Sequence, residues 1–217
     1  MALVVVGGHT RNIGKTTLAT QVIAAFASMQ WTAMKITQFG HGVCSANGEA
    51  CDCADEEHPV AITEERDGLG GSDSARMLAA GAARVLWVRT RQGGLAEAMP
   101  RIRKEFAATA HTLVESNSIL RFVQPDVYLA VLQPAVADFK PSALRYLDRA
   151  SALFVPDGVD LSHAAWPGIA PALLRGKPVF PLYADGLDGA ALAWLQGRLT
   201  AERPPMQGGP AEVHLQS

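Results

Sequence analysis

The stretch from Val4 to Thr17 constrains the fold more than any other part of this sequence. It begins with an apolar run of strand length, continues through a loop that opens with glycines, and ends in Gly14-Lys15-Thr16-Thr17. A segment of helical periodicity follows at once. The order strand, loop, Gly-Lys-Thr and helix is typical of a phosphate-binding loop, because backbone N–H groups of the loop and of the helix N-terminus converge there on an anion.

The residue types in this loop have separate expected roles. The ammonium of Lys15 is expected to reach the terminal phosphates of a nucleotide, and the hydroxyl of Thr16 is expected to ligate Mg²⁺. The first half of the loop is atypical, because the spacing Gly-x-x-x-x-Gly-Lys-Thr places His9 where a glycine usually stands. The whole loop is predicted to contact the nucleotide, and it comprises His9, Thr10, Arg11, Asn12, Ile13, Gly14, Lys15, Thr16 and Thr17.

Composition and charge exclude several classes of function. The chain has 217 residues, 48% of them hydrophobic, which suffices for one α/β domain with a substantial core. A formal net charge of −2 gives no general attraction for nucleic acid or for an anionic membrane. No apolar run approaches the roughly 20 residues that span a bilayer, and the N-terminus lacks the basic leader of a signal peptide. We therefore expect a cytoplasmic protein without nucleic-acid or membrane partners.

Strand-like and helix-like segments alternate along the chain. Strands are predicted after the first one at residues 31–37, 84–89, 111–115, 127–132, 152–155 and 178–182, and helices at 15–29, 75–80, 95–110, 142–149 and 188–200. This alternation predicts an α/β fold of three layers, a P-loop NTPase with a mostly parallel central sheet and helices on both faces. Residues 1–200 would form that single domain, with a Cys- and Gly-rich insertion at about 38–72, and 201–217 a disordered tail.

Two acidic residues stand at positions suited to phosphate chemistry. Glu115 ends the predicted strand 111–115, and in P-loop proteins a strand beside the first one commonly ends in a carboxylate close to Mg²⁺. The alternative for Glu115 is a surface residue at a strand end. Asp73 begins a predicted helix, where either it or Ser72 would serve as the N-cap.

The turn after strand 127–132 contains two further charged residues, Asp138 and Lys140. Ligands of open parallel sheets bind at the carboxyl ends of the strands, which brings this turn within reach of the predicted site. These side chains would contact a base, a substrate or a phosphate, or would serve only to form the turn.

Three cysteines, Cys44, Cys51 and Cys53, lie within ten residues of one another in the insertion, flanked by His41 and His58. Thiolates and imidazoles this close together suit Zn²⁺ or another borderline metal, and in a reducing compartment they favour metal or redox chemistry over disulfides. The spacing matches no zinc-finger or zinc-ribbon pattern. An ordinary loop with incidental cysteines is the alternative.

Four short motifs occur in a distinctive order, over roughly residues 3–135. They are Gly14-Lys15-Thr16-Thr17, Lys35 on the second strand, Asp73-Ser74-Ala75-Arg76-Met77 with Ala80-Gly81-Ala82 after it, and Val114-Glu115. This order resembles the molybdopterin-guanine dinucleotide biosynthesis protein B family, within the signal-recognition/MinD/BioD class of P-loop proteins. The resemblance implies that Lys15 and Thr16 bind phosphate and Mg²⁺, and that Asp73 and Glu115 lie near the metal and the nucleophile.

Four functions remain open at this point. The resemblance implies Mg²⁺-dependent binding and hydrolysis of ATP or GTP, or phosphoryl transfer, as an accessory step in molybdenum-cofactor biosynthesis. The second function is that of a small-molecule kinase or ligase of the dethiobiotin-synthetase type, in which Lys15 and Lys35 stabilise the transferring phosphoryl group while Asp73 or Glu115 positions the acceptor. The third is a metal chaperone in which nucleotide hydrolysis gates release from the cysteines. The fourth is a nucleotide-binding module without turnover.

The sequence leaves the ligands of these functions partly open. No Asn-Lys-x-Asp run is present to indicate which base is recognised, so ATP and GTP are both candidates. The acceptor is an unidentified small molecule or protein. A homodimer fits this class of protein by analogy.

Overall fold

The structure is a computed structural model, and it describes residues 2–39, 60–161, 166 and 169–200. In this part of the chain the strands are β1 (Ala2–Gly8), β2 (Thr32–Phe39), β3 (Val60–Glu65), β4 (Arg84–Arg91), β5 (His111–Glu115), β6 (Val127–Val131), β7 (Ala152–Pro156) and β8 (Val179–Leu182). The α-helices are α1 (Lys15–Ala25), α2 (Asp73–Ala79), α3 (Leu95–Ala107), α4 (Pro141–Leu144) and α5 (Gly189–Thr200).

The strands form one sheet in the order β3-β4-β2-β5-β1-β6-β7-β8. Every neighbouring pair is parallel except β3 and β4, which run antiparallel. The predicted α/β fold with a mostly parallel sheet is therefore confirmed. β1 lies between β5 and β6 in the middle of the sheet, so the loop that follows it opens at the centre of the carboxyl edge, where open parallel sheets bind ligands.

Both faces of the sheet are buried, which makes the fold three-layered. Successive residues of β1 point to opposite faces: Val4 and Val6 join the core under α1, α2 and α5, whereas Leu3 and Val5 join the core under α3. Val4, Val5 and Val6 are completely buried. A strand buried on both faces reads as a continuous apolar run, and this is why β1 shows no alternation in the sequence.

The edges of the sheet give one confirmed and one incorrect prediction. β8, with its flanking prolines, lies at one edge as expected, since proline cannot complete a sheet's hydrogen-bond ladder. The expectation of loop throughout residues 38–72 was wrong for Val60–Glu65, which forms β3 at the other edge and pairs with β4. Its sequence, Val-Ala-Ile-Thr-Glu-Glu, is only half apolar, so strand propensity was weak and pairing with β4 decided the outcome.

The remaining predictions about the insertion and the tail concern other parts of the chain. Cys44, Cys51 and Cys53 lie outside the described residues, and so does the segment 201–217. Among the helices that the structure describes, none is both long and apolar enough to cross a membrane.

Candidate nucleotide site at the carboxyl edge of the sheet

The loop between β1 and α1 follows the course that a phosphate-binding loop requires. Gly14 ends the loop with φ 96°, a left-handed conformation that favours glycine, and a Cβ there would lie 2.7 Å from Cδ2 of Leu182. Its carbonyl accepts the first helical hydrogen bond, from Leu18 N, at 2.9 Å. The N-cap residue Gly14 has no side chain with which to cap α1. The N–H groups of the first turn therefore remain available to an anion.

Asn117 holds the start of this loop in place. Its side-chain amide donates to the carbonyl of Gly8 at 2.7 Å, and its Oδ1 accepts from Gly8 N at 3.0 Å. Oδ1 also lies 2.1 Å from the position that a Cβ on Gly7 would occupy. Glycine is therefore needed at position 7 because the Asn117 amide packs directly against the backbone.

A cavity of about 800 Å³ opens above this loop. Its walls come from the loop, from the carboxyl ends of β2, β4 and β5, and from the starts of α2 and α4. The predicted residues Thr10 to Thr17, Asp73 and Glu115 all line it. A volume of several hundred Å³ is typical of cavities that bind small molecules and cofactors.

Lys15 spans the mouth of the loop from the first turn of α1. Its ammonium donates to the carbonyl of Thr10 at 2.5 Å, which keeps the side chain folded back over the loop. The pKa of Lys15 is lowered to about 8, chiefly by burial; Glu115 opposes this shift, and the ammonium groups of Lys35 and Lys140 add to it. An anionic ligand would reverse this shift, because it would favour the charged ammonium.

Lys35 joins the two predicted carboxylates at the other wall of the cavity. Its ammonium lies 2.5 Å from Glu115 Oε1 and 2.6 Å from Asp73 Oδ2. Burial alone would lower the pKa of Lys35, but these carboxylates outweigh it and raise the pKa. Burial likewise tends to raise the pKa of Asp73, but Lys35 and the hydroxyl of Thr16 bring it below its usual value. Lys35 and Asp73 are therefore both charged at neutral pH.

The helix cap at α2 is Ser72, not Asp73. Ser72 Oγ accepts from Ala75 N at 3.1 Å, while Asp73 is the first residue of the helix and turns its carboxylate to Lys35. Of the two capping candidates, the structure assigns the capping role to Ser72. Asp73 is thereby left available to the cavity.

The oxygen atoms next to Thr16 suit Mg²⁺. Thr16 Oγ1 donates to Glu115 Oε2 at 2.8 Å, and the Glu115 side chain is only 2% exposed. Adjacent oxygen ligands of an octahedral Mg²⁺ at about 2.0–2.1 Å lie about 2.9 Å apart, so this hydroxyl and this carboxylate have the separation of two neighbouring ligands. Both are hard oxygen donors, the type that Mg²⁺ prefers, and the Asp73 carboxylate lies on the same Lys35 ammonium.

His9 does not contribute its side chain to the cavity, contrary to the prediction that it contacts the nucleotide. Its ring is fully buried, with Nδ1 accepting from Gln133 N at 3.3 Å and Nε2 3.2 Å from the carbonyl of Val136. Its backbone N–H donates to Val131 and its carbonyl accepts from Lys140 N. The hydrogen bonds of His9 thus anchor the loop to the segment after β6, and none is left for a phosphate.

Several residues of the cavity were not assigned to the site from the sequence. Arg76 donates from Nη2 to Thr17 Oγ1 at 3.3 Å, beside the loop. The others lie at or just after the carboxyl ends of strands, or in and just after α4, and they are Gln38, Gln92, Ser116, Asn117, Ser118, Ser142 and Arg145. The available sequence signal was position alone, because residues that follow parallel strands gather at one edge of the sheet.

No comparable arrangement for a soft metal occurs in the described part of the chain. Within residues 2–39, 60–161, 166 and 169–200, no group of three or more His, Cys, Asp and Glu side chains is placed to hold a metal ion. The Zn²⁺ prediction concerns Cys44, Cys51 and Cys53, which lie elsewhere in the chain.

Comparison with known proteins gives distant structural likeness only. No protein-family model matches the chain, nor does any curated protein, so the resemblance to the molybdopterin-guanine dinucleotide biosynthesis protein B family stays a prediction. One similar solved structure is LpxK from Aquifex aeolicus in complex with ATP, at 16% identity and a TM-score of 0.45, covering 83% of this chain and 53% of that one. The chain thus spans about half the length of the Aquifex protein. Another is HypB from Helicobacter pylori in complex with nickel, at 12% identity and a TM-score of 0.46, covering 92% of this chain and 87% of that one. Likeness at this distance says nothing of activity.

Proposed function

We propose that this protein binds a nucleoside triphosphate with Mg²⁺ at residues 10–17 and hydrolyses or transfers its terminal phosphoryl group. The observation that carries the proposal is the uncapped N-terminus of α1, which opens into the cavity with Lys15 on one side and the Thr16–Glu115 pair on the other. Free N–H groups, a buried ammonium and hard oxygen donors are the parts that triphosphate binding needs.

Each group has a separate task in such a reaction. The N–H groups of the loop and of α1 bind phosphate oxygens, and Lys15 exchanges the Thr10 carbonyl for the terminal phosphates, where it stabilises the charge that develops. Thr16 and Glu115 would hold Mg²⁺, which supplies further neutralisation of the phosphate oxygens when bound. Asp73, whose pKa is lowered, is a weak base and suits orienting a nucleophile by hydrogen bonding better than removing its proton.

More specific functions for this nucleotide site, and a dimeric state, are also proposed. A role in maturing a molybdenum cofactor is supported by the order of sequence motifs. A small-molecule kinase is favoured by the cavity itself, which continues past the loop to Gln38, Gln92 and Ser118 and so has walls for a second substrate. The metal-chaperone alternative depends on Cys44, Cys51 and Cys53, and metal analysis of reduced protein purified without chelators tests it. A homodimer remains a prediction for sedimentation analysis.

Thermal unfolding with a nucleotide panel tests the central proposal. With Mg²⁺ and ATP or GTP at one hundred times Kd, we expect stabilisation of about 2.7 kcal/mol from mass action. For a domain of this size that corresponds to a rise in Tm of about 5–10 °C. EDTA should reduce the shift. A melting temperature unchanged by all four common triphosphates with Mg²⁺ would contradict the proposal.

Nucleotide affinity should fall as the pH rises above about 8. The pKa of Lys15 is about 8 without ligand and rises when phosphate is bound, so binding takes up a proton between these two values. The expected loss is up to about tenfold in affinity per pH unit, as measured by calorimetry with a nonhydrolysable triphosphate from pH 7 to 9.5.

The lowered pKa of Lys15 makes the stability of the unliganded protein change with pH in the opposite direction to nucleotide affinity. The pKa of Lys15 is lower in the folded than in the unfolded chain, so its contribution to stability rises with pH between about 8 and 10.5.

The control variant for the affinity measurement is Lys15→Arg, whose guanidinium stays charged over the whole pH range and should give a flat affinity profile. Burial and Arg11 also lower the pKa of Lys140, so a Lys140→Arg titration separates the two lysines. An unchanged slope in Lys15→Arg would contradict the assignment.

A further inference from the structure

The segment after β6 forms a second wall over the first half of the loop. Lys140 N donates to the carbonyl of His9 at 2.8 Å, and the hydroxyl of Thr10 hydrogen-bonds to the carboxylate of Asp138. The ring centroid of His9 lies 5.1 Å from that of Phe139 and 5.2 Å from that of Trp166. These contacts hold the residues that lead into α4 at a set position beside the phosphate loop.

Cationic side chains of this segment line the cavity. Lys140, half-buried, and Arg145, at the exposed rim, both line it, and so does Arg11 on the loop. Within the described part of the chain, neither Lys140 nor Arg145 has a carboxylate within 4.0 Å. Burial lowers the pKa of Lys140, the charges of Arg11 and Lys35 lower it further, and the carboxylate of Asp138 opposes this shift. Like charges held together in a cavity favour an anionic ligand between them.

Cations outnumber carboxylates in the lining of the cavity. Apart from Arg11, which has a further interaction, five cationic side chains line it against the carboxylates of Asp73 and Glu115, and they are Lys15, Lys35, Arg76, Lys140 and Arg145. A triphosphate chelated by Mg²⁺ carries a net charge of about −2, which would leave part of this net excess of three positive charges. The whole chain is acidic, with a formal charge of −2, so the excess is local to the cavity.

We propose that Lys140 and Arg145 form a subsite for an anionic group, a phosphate or a carboxylate, on the second substrate of the reaction. This inference rests on the proposed function, since the loop must hold the nucleotide for the remaining cations to face another ligand. A substrate anchored there would lie in the same cavity as Lys15 and Lys35, because these two lysines line it together with Lys140 and Arg145. The subsite therefore selects anionic over neutral acceptors.

Binding of inorganic phosphate and of malonate to the full chain, saturated with Mg²⁺ and a nonhydrolysable triphosphate, tests the subsite. Saturation with the triphosphate prevents the probes from binding at residues 10–17. We expect one equivalent of probe to bind the wild type, and the double variant Lys140→Met, Arg145→Met to bind it at least about 30-fold more weakly. Tighter binding of phosphate would identify a phosphorylated substrate, and tighter binding of malonate a carboxylate, and both results would support the subsite.

A matched double variant controls for general electrostatics. Arg101→Met, Lys104→Met removes the same two charges from the exposed face of α3, and it should bind the probes as the wild type does. Nucleotide affinity should change less than about threefold in Lys140→Met, Arg145→Met. A parallel loss of nucleotide affinity would overturn the subsite, because these cations would then belong to the nucleotide. Nucleotide binding by the wild type without a probe equivalent would also overturn the subsite alone, whereas absence of nucleotide binding would overturn the proposed function.

Discussion

Lys15→Ala should abolish the nucleotide-dependent rise in melting temperature and lower turnover of ATP or GTP by about 10²–10³-fold. The ammonium of Lys15 is the cation that spans the loop, and it donates to the Thr10 carbonyl in the unliganded protein. Its removal deprives the terminal phosphates of a preorganised charge in a partly desolvated site, where charges count for more than in water. Phosphate release under saturating Mg²⁺ and calorimetric titration give the two measurements.

The fold should survive this substitution. Burial of Lys15 disfavours its charged form, as its lowered pKa shows, so replacement by alanine should leave the stability of the unliganded protein unchanged or slightly raised. Lys104→Ala, on the exposed side of α3, is the matched control and should keep wild-type turnover. Full activity in Lys15→Ala would place the phosphate chemistry somewhere else.

Glu115→Gln should reduce Mg²⁺-dependent turnover by about 10²-fold and also destabilise the unliganded protein by about 1–3 kcal/mol. The catalytic loss follows from removing a charged ligand beside the Thr16 hydroxyl. The loss of stability has a different origin, because Lys35 is largely buried and would keep only Asp73 as its counter-ion. Glutamine preserves the shape of the side chain, so the effects report the charge.

Urea denaturation and a Mg²⁺ titration of turnover separate these two effects. Glu105→Gln is the matched control: it also removes a carboxylate from an ion pair, with Arg84, but that pair lies at the surface of α3 and contributes at most about 1 kcal/mol. Its Mg²⁺ response should equal that of the wild type. An unaltered Mg²⁺ response in Glu115→Gln would remove Glu115 from the metal site.

Local sequence predicted the elements well where packing and pattern agreed. β5 was predicted at residues 111–115 and is found there, and the loop predicted to bind phosphate lies between β1 and α1. The prediction from local sequence was wrong at β3, where pairing with another strand decided the structure. The predicted helix 142–149 divides into α4 and a 3₁₀ turn at Leu147–Arg149. Short segments of this kind carry too little periodicity to be distinguished from loop.

The residues of the site were predictable in part. The Gly-Lys-Thr run and the carboxylate at the end of β5 carry their own signal, since a helix N-terminus and a strand end have set positions in a parallel sheet. His9 carries no such signal, because its burial depends on Phe139 and Trp166, which come from distant parts of the chain. The same holds for Asn117, whose amide supports Gly8 across 109 residues of sequence.

The sequence by itself determined the α/β class, because strands and helices alternate along the whole chain. It also predicted the loop between β1 and α1 as the phosphate site, with Lys15 and Thr16, because that motif lies within about twenty consecutive residues. Only the tertiary structure decided that Lys35, Asp73 and Glu115 meet at one point, and that Lys140 and Arg145 face the same cavity. The physical reason is the strand order. It places β2, β5, β1 and β6 side by side, so that residues 80 apart in the chain, such as Lys35 and Glu115, come within hydrogen-bonding distance at one edge.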